Sequence, residues 1–98
     1  MEAPVLARIH SEYKNRGVNV VAINFDPRYS LDEWHSFWNA VGAADVILAQ
    51  DTNAKTVNDY RLVALGTEVV VGRDGRVSFR SDGPAGYERL RSAVDQAL

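Results

Sequence analysis

The stretch Val18-Asn19-Val20-Val21-Ala22-Ile23-Asn24-Phe25 decides the fold of this chain. Its β-branched residues at 18, 20, 21 and 23 come with little polar alternation. That pattern predicts a strand covered on both faces, the habit of parallel sheets flanked by helices. Asp26-Pro27 ends the run, because proline fixes its own φ and carries no N–H for a ladder. N-terminal to it, the segment from Ala3 to Arg16 places Val5, Leu6, Ile9 and Tyr13 on one helical face, with Glu12, Lys14 and Arg16 elsewhere. Pro4 suits a first helical turn, and Gly17 suits a C-terminal stop. A helix followed by a strand of this kind is the beginning of an α/β domain.

The pattern continues C-terminally. Ser30 and Glu33 have the spacing of a capping box ahead of Leu31, Trp34, Phe37, Trp38 and Val41, an amphipathic helix that stops near Gly42. Val46 to Ala49 is a short apolar strand, and Asp51-Thr52-Asn53 offers caps for a helix running to about Tyr60. Glu68 to Val71 and Arg76 to Arg80 flank Gly72-Arg73-Asp74-Gly75, a glycine-bearing turn between two β-rich runs, which predicts a hairpin. Ser81 to Pro84 is loop, and Tyr87, Leu90, Val94 and Leu98 recur at helical spacing. The predicted order is α-β-α-β-α-β-β-α, with no internal repeat or linker, so 1–98 reads as a single domain.

Composition narrows the function classes. The chain has 98 residues, 46% hydrophobic and 24% charged, which suits one compact soluble domain rather than a disordered segment. Its net charge of −2 gives no sequence-wide attraction to nucleic acid or anionic lipid. Arg73, Arg76 and Arg80 gather around one turn and read as a solvated hairpin. No apolar run approaches the ~20 residues needed to span a bilayer. The chain contains no cysteine, which removes disulfides, thiolate metal sites and cysteine nucleophiles together.

The remaining reactive side chains do not fall into catalytic patterns. His10 and His35 lack a His-x-x-x-His or His/Cys spacing, so no metal is expected. Ser30, Ser36 and Ser78 have no Gly-x-Ser-x-Gly context. The turn at Gly72–Gly75 lies between strands, whereas a phosphate loop needs a helix behind it. Asp26, Asp45 and Asp51 lie near strand ends, where α/β proteins place functional groups, but turn and cap chemistry accounts for aspartates at such positions. Trp34, Phe37 and Trp38 share a helix face and read as core, with a partner-binding surface as the alternative. No cofactor is expected.

The order of elements resembles the C-terminal two-thirds of a thioredoxin-like domain, and the TlpA/AhpC–TSA-like thiol–disulfide oxidoreductases in particular. In that group a Cys-x-x-Cys motif opens a helix that continues with Glu-x-Pro-x-Leu, and Glu2-Ala3-Pro4-Val5-Leu6 is similar to that continuation. Met1 would then sit just past the second cysteine. Val18–Phe25 ending at Asp26 is similar to the family's next strand. Ser30–Val41 with Val46–Asp51 resembles the helix-plus-strand insertion of TlpA-like domains, and Arg73-Asp74-Gly75 resembles the hairpin turn. The family's cis-proline, which borders its substrate groove, would fall at Gly66, next to Thr67, so a groove of the usual kind is not expected.

The resemblance implies a thioredoxin-like three-layer α/β sandwich, N-terminally truncated, its mixed sheet ending in a hairpin and a closing helix. It implies a thiol–disulfide oxidoreductase lineage that is redox-inactive in this form, or alternatively a non-enzymatic interaction module. If an upstream segment with Cys-x-x-Cys exists, the whole would look like a periplasmic or membrane-tethered reductase. The family's strand between those matching Val18–Phe25 and Glu68–Val71 has no counterpart in the chain. Either those two strands close on each other, or a second chain covers the edge, giving a homodimer by strand exchange or addition, or a complex with another protein. Self-association is the expectation.

Overall fold

The computed structural model describes residues 3–24, 26, 28–43, 45–51, 54–62 and 66–98. Its elements run α1 (Ala3–Tyr13), a 3₁₀ turn (Lys14–Arg16), β1 (Val21–Asn24), α2 (Leu31–Ala40), β2 (Ile47–Gln50), α3 (Lys55–Tyr60), β3 (Glu68–Val71), β4 (Val77–Ser81) and α4 (Tyr87–Ala97). This is the order read from the sequence. The described residues form two compact units, one from Ala3 to Arg61 and one from Leu62 to Leu98.

In the first unit β1 and β2 pair in parallel, with Val21 opposite Ile47 and Asn24 opposite Gln50. β1 is shorter than the apolar run that predicts it. The helix before it unwinds through the 3₁₀ turn, Gly17 takes a left-handed φ of 82°, and the Val18 N–H bonds back to the Tyr13 carbonyl at 3.4 Å. That closure holds Val18 at the end of α1, so the strand begins only at Val21. Phe25 and Pro27 lie outside the described residues.

α2 starts as its sequence requires. Ser30 Oγ accepts the Glu33 N–H and Glu33 Oε1 accepts the Ser30 N–H, each at 3.1 Å, so two otherwise unpaired helix N–H groups are satisfied reciprocally. The core of this unit gathers Ala3, Ala22, Trp38, Ala43 and Val46, with Leu6, Val20 and Trp34 packed against it. Trp34 Nε1–H donates to the Ala22 carbonyl at 3.3 Å, pinning α2 to β1. The three aromatic residues do not share one fate. Trp38 is 4% exposed and Trp34 half-buried, whereas Phe37 is 40% exposed and stacks on Trp34 at 5.9 Å.

In the second unit β3 and β4 form the expected hairpin, antiparallel with Glu68 opposite Ser81 and a bulge between Val70 and Val71. The Gly72 N–H bonds to the Arg76 carbonyl at 2.8 Å and the Gly75 N–H to the Gly72 carbonyl at 3.0 Å, closing the turn. α4 packs on this hairpin, burying Leu90, Ala93 and Val94, with the Arg89 guanidinium 5.5 Å from the centre of the Phe79 ring. Every described strand finds its ladder partner inside its own unit.

Burial separates the two aromatic neighbours energetically. Trp38→Ala removes a buried indole from the core and is expected to cost about 3–5 kcal/mol, whereas Phe37→Ala is expected to cost about 1 kcal/mol or less. Urea denaturation of the two variants checks this; equal losses would show that the aromatic face is buried as a whole.

Candidate functional site

Two places bear on function: the loops at the C-terminal ends of β1 and β2, and the start of the β3–β4 hairpin. Open α/β sheets bind ligands at the former, and the resemblance puts a substrate groove at the latter.

At the first, Asn24 is buried at the end of β1 with both amide donors used and its oxygen accepting. Nδ2 donates to the Asp26 and Tyr29 carbonyls at 3.3 and 3.0 Å, and Oδ1 accepts the Asp26 N–H at 3.1 Å. Gln50, at the matching end of β2, donates from Nε2 to the same Tyr29 carbonyl at 3.3 Å. The two strand ends thus hold the β1–α2 loop by its backbone. Asp26 carries a bidentate pair with Arg28, whose Nε and Nη2 lie 3.0 and 2.7 Å from its two oxygens. That partner and the Arg28 backbone N–H hold the Asp26 carboxyl well down, at about 2. Asp51 accepts the Thr56 and Val57 N–H groups at 2.7 and 3.2 Å, which lower its pKa. It caps α3 as the sequence anticipates; Thr52 and Asn53 lie outside the described residues. Asp45 is exposed. Asp26 and Asp51 order the loops that follow β1 and β2.

His10 lies on α1, partly buried, and His35 on the exposed side of α2. Among the described residues no three His, Cys, Asp or Glu side chains gather as metal ligands would. Ser30 is the α2 cap, and Ser78 Oγ donates to the Val70 carbonyl at 3.3 Å inside the hairpin.

At the second place, Gly66 has a φ of 83°, a left-handed conformation that L side chains avoid, and a Cβ there would meet Pro84 Cδ at an ordinary 3.6 Å. Backbone, rather than crowding, requires glycine. No cis peptide occurs among the described residues. Thr67 is partly buried and leads into Glu68, whose carboxylate is buried at 8% exposure with Oε1 accepting the Ala85 N–H at 2.9 Å. Glu68 therefore ties the loop before α4 to the first residue of β3. Sequence reading missed this residue and Asn24. The available signal was a polar side chain inside an otherwise apolar strand.

No family model matches the chain, and no curated protein matches it. Among solved structures, that of a protein assigned as a thiol:disulfide interchange protein DsbE from Chlorobium tepidum is similar, with a TM-score of 0.80 and 26% sequence identity. The likeness covers 98% of this chain and 67% of that one. The chain has a thioredoxin-like fold, that of the thioredoxin-like superfamily, and it holds no cysteine.

Asp26 gives a direct test of the loop geometry. Its carboxyl should titrate near 2 by carbon-detected NMR, and Arg28→Ala should return the midpoint toward 3.8. Because the folded value is depressed, the stabilising effect is full above the ordinary carboxylate value and is lost as pH falls through about 2. A midpoint unmoved by Arg28→Ala would remove the pair. Gly66→Ala is expected to destabilise by about 1 kcal/mol, read by thermal unfolding; no loss would mean that the left-handed angle is not required.

Proposed function

We propose that this chain is a domain of TlpA/AhpC–TSA-like thiol–disulfide oxidoreductase lineage that does not itself exchange disulfides. The observation that carries the reading is the pairing of a thioredoxin-like fold with a sequence free of cysteine. Thiol–disulfide exchange begins when a thiolate attacks a disulfide sulfur to form a mixed disulfide. Oxidoreductases of this chemistry lower the thiol pKa, commonly at a helix N-terminus, so that the thiolate is available near neutral pH. Hydroxyls, carboxylates and imidazoles cannot form the mixed disulfide. By the resemblance the family's groove-bordering proline falls at Gly66, next to Thr67, and a glycine with a positive φ does not reproduce the proline's shape.

A second reading, a non-enzymatic interaction module, is favoured by one observation. On the β1–β2 pair, Val21, Ile23 and Ile47 are 48%, 39% and 46% exposed. Isolated apolar residues are normal on surfaces, but three on neighbouring strand positions form a patch.

Insulin reduction with dithiothreitol as electron source tests the first reading. The chain is expected to leave the uncatalysed rate unchanged at any concentration. Turnover that scales with added protein would overturn it.

A further inference from the structure

α3 is held differently from the other α-helices. Ile9 and Tyr13 anchor α1, Trp38 anchors α2, and Leu90, Ala93 and Val94 anchor α4, whereas α3 buries no residue. The core of the first unit takes no side chain from it. Its six residues fall well short of the roughly 12–15 that an isolated helix needs in water. The Lys55–Asp59 ion pair, at 2.6 Å, lies wholly within the helix and adds nothing to its attachment.

Both ends of α3 also carry backbone strain. Ala54, at its start, has a φ of 55°, and Arg61, at its end, a φ of 50°. Among the described residues these are the two non-glycine positions with positive φ. Neither is the glycine or asparagine that tolerates this region, so closing the helix forces two Cβ atoms against the backbone and opening it relieves both.

What opposes that release comes from outside the helix. Ala54 supplies no side-chain acceptor at the cap position. The first helical N–H groups turn instead to Asp51, three residues earlier, which takes Thr56 at 2.7 Å on Oδ1 and Val57 at 3.2 Å on Oδ2. The Asp51 N–H bonds to the Asn24 carbonyl at 2.8 Å. One residue is thus fastened to β1 by its main chain and to α3 by its side chain, and all of these bonds lie in the first unit.

We infer that α3 unfolds and refolds as a unit while the β1–β2 pair and its core stay closed, with the Asp51 carboxylate as its clasp. Proteins open in such local units wherever little apolar contact binds a segment to the rest, and elements that move on ligand binding are drawn from them. The clasp stands at the C-terminal ends of β1 and β2, where open α/β sheets receive ligands. The device is independent of thiol chemistry.

Amide hydrogen exchange of the whole chain in rising, sub-denaturing urea tests this. The Asp59 and Tyr60 amides bond within the helix ladder and do not touch Asp51, so they report opening of α3 itself. The Ile47 N–H, bonded to the Val20 carbonyl at 3.1 Å, reports the sheet. Asp59 and Tyr60 are expected to be at least about tenfold less protected than Ile47, with little dependence on urea, because local opening exposes little surface. Asp51→Ala is expected to lower their protection about tenfold further, Asp51→Asn less, since it keeps an acceptor. Ala54→Gly is expected to raise it about threefold by relieving the left-handed angle. Equal protection and equal urea slopes at Asp59, Tyr60 and Ile47 would make α3 part of the core and overturn the proposal. So would Asp51→Ala leaving Asp59 and Tyr60 unchanged, since the clasp would then lie elsewhere. Loss of the whole fold in Asp51→Ala overturns it as well, because the core is required to stand without α3.

Discussion

The structure of the first unit follows from one constraint, the parity that two hydrogen bonds impose on β1. Once Val20 and Asn24 give their carbonyls to β2, each residue of the strand has both a side-chain face and a main-chain direction assigned. Ala22 and Asn24 turn their side chains inward, where Ala22 meets the core of Trp38, Ala43 and Val46. Val21 and Ile23 turn theirs outward. A slip of one residue would bury Val21 and Ile23 but expel the Asn24 amide, and with it the three hydrogen bonds that hold the loop to α2. The Trp34 indole would also lose the Ala22 carbonyl. Polar latches at the strand's end therefore fix a register that leaves apolar side chains in water.

Local chemistry was legible in the sequence because it is carried by residues close together in the chain. The Ser30/Glu33 box, the Gly17 stop, the turn at Gly72–Gly75 and the Asp51 cap all form as their residue types require. Non-local facts were not. Eight apolar-rich residues predict a strand, but the length of β1 is set by Val18 bonding back to α1, which periodicity does not register. Trp34, Phe37 and Trp38 occupy one helical face, yet only Trp38 is fully buried. The unit's sheet has just two strands, too narrow to cover the width of that face. The buried roles of Asn24 and Glu68 depend on partners supplied by loop backbone, Tyr29 in one case and Ala85, 17 residues on, in the other.

The thioredoxin-like fold does not require sulfur for its own cohesion. In this chain the buried residues of the first unit are alanine, valine and tryptophan around β1, with Ile9 and Tyr13 on α1, and those of the second are the apolar face of α4 against a hairpin. Fold and activity are separable because packing and chemistry draw on different residues. A redox pair contributes reactivity at a helix start, where its removal leaves the buried face unchanged. The same separation limits inference in the other direction: likeness to a thiol:disulfide interchange protein reports the packing, and only the sequence reports that the thiols are missing.

Glu68 and the Arg80–Asp82 pair show that the second unit uses charge where its hairpin meets loop and solvent. In β1 the polar groups stand at the ends, and the middle is left neutral. Selection for solubility alone would favour a lysine at position 21 or 23, where the side chain is already exposed and would disturb no packing. Side chains stand on the face of a sheet and its edge is bonded through main chain, so valine and isoleucine at those positions gain from any element that covers that face.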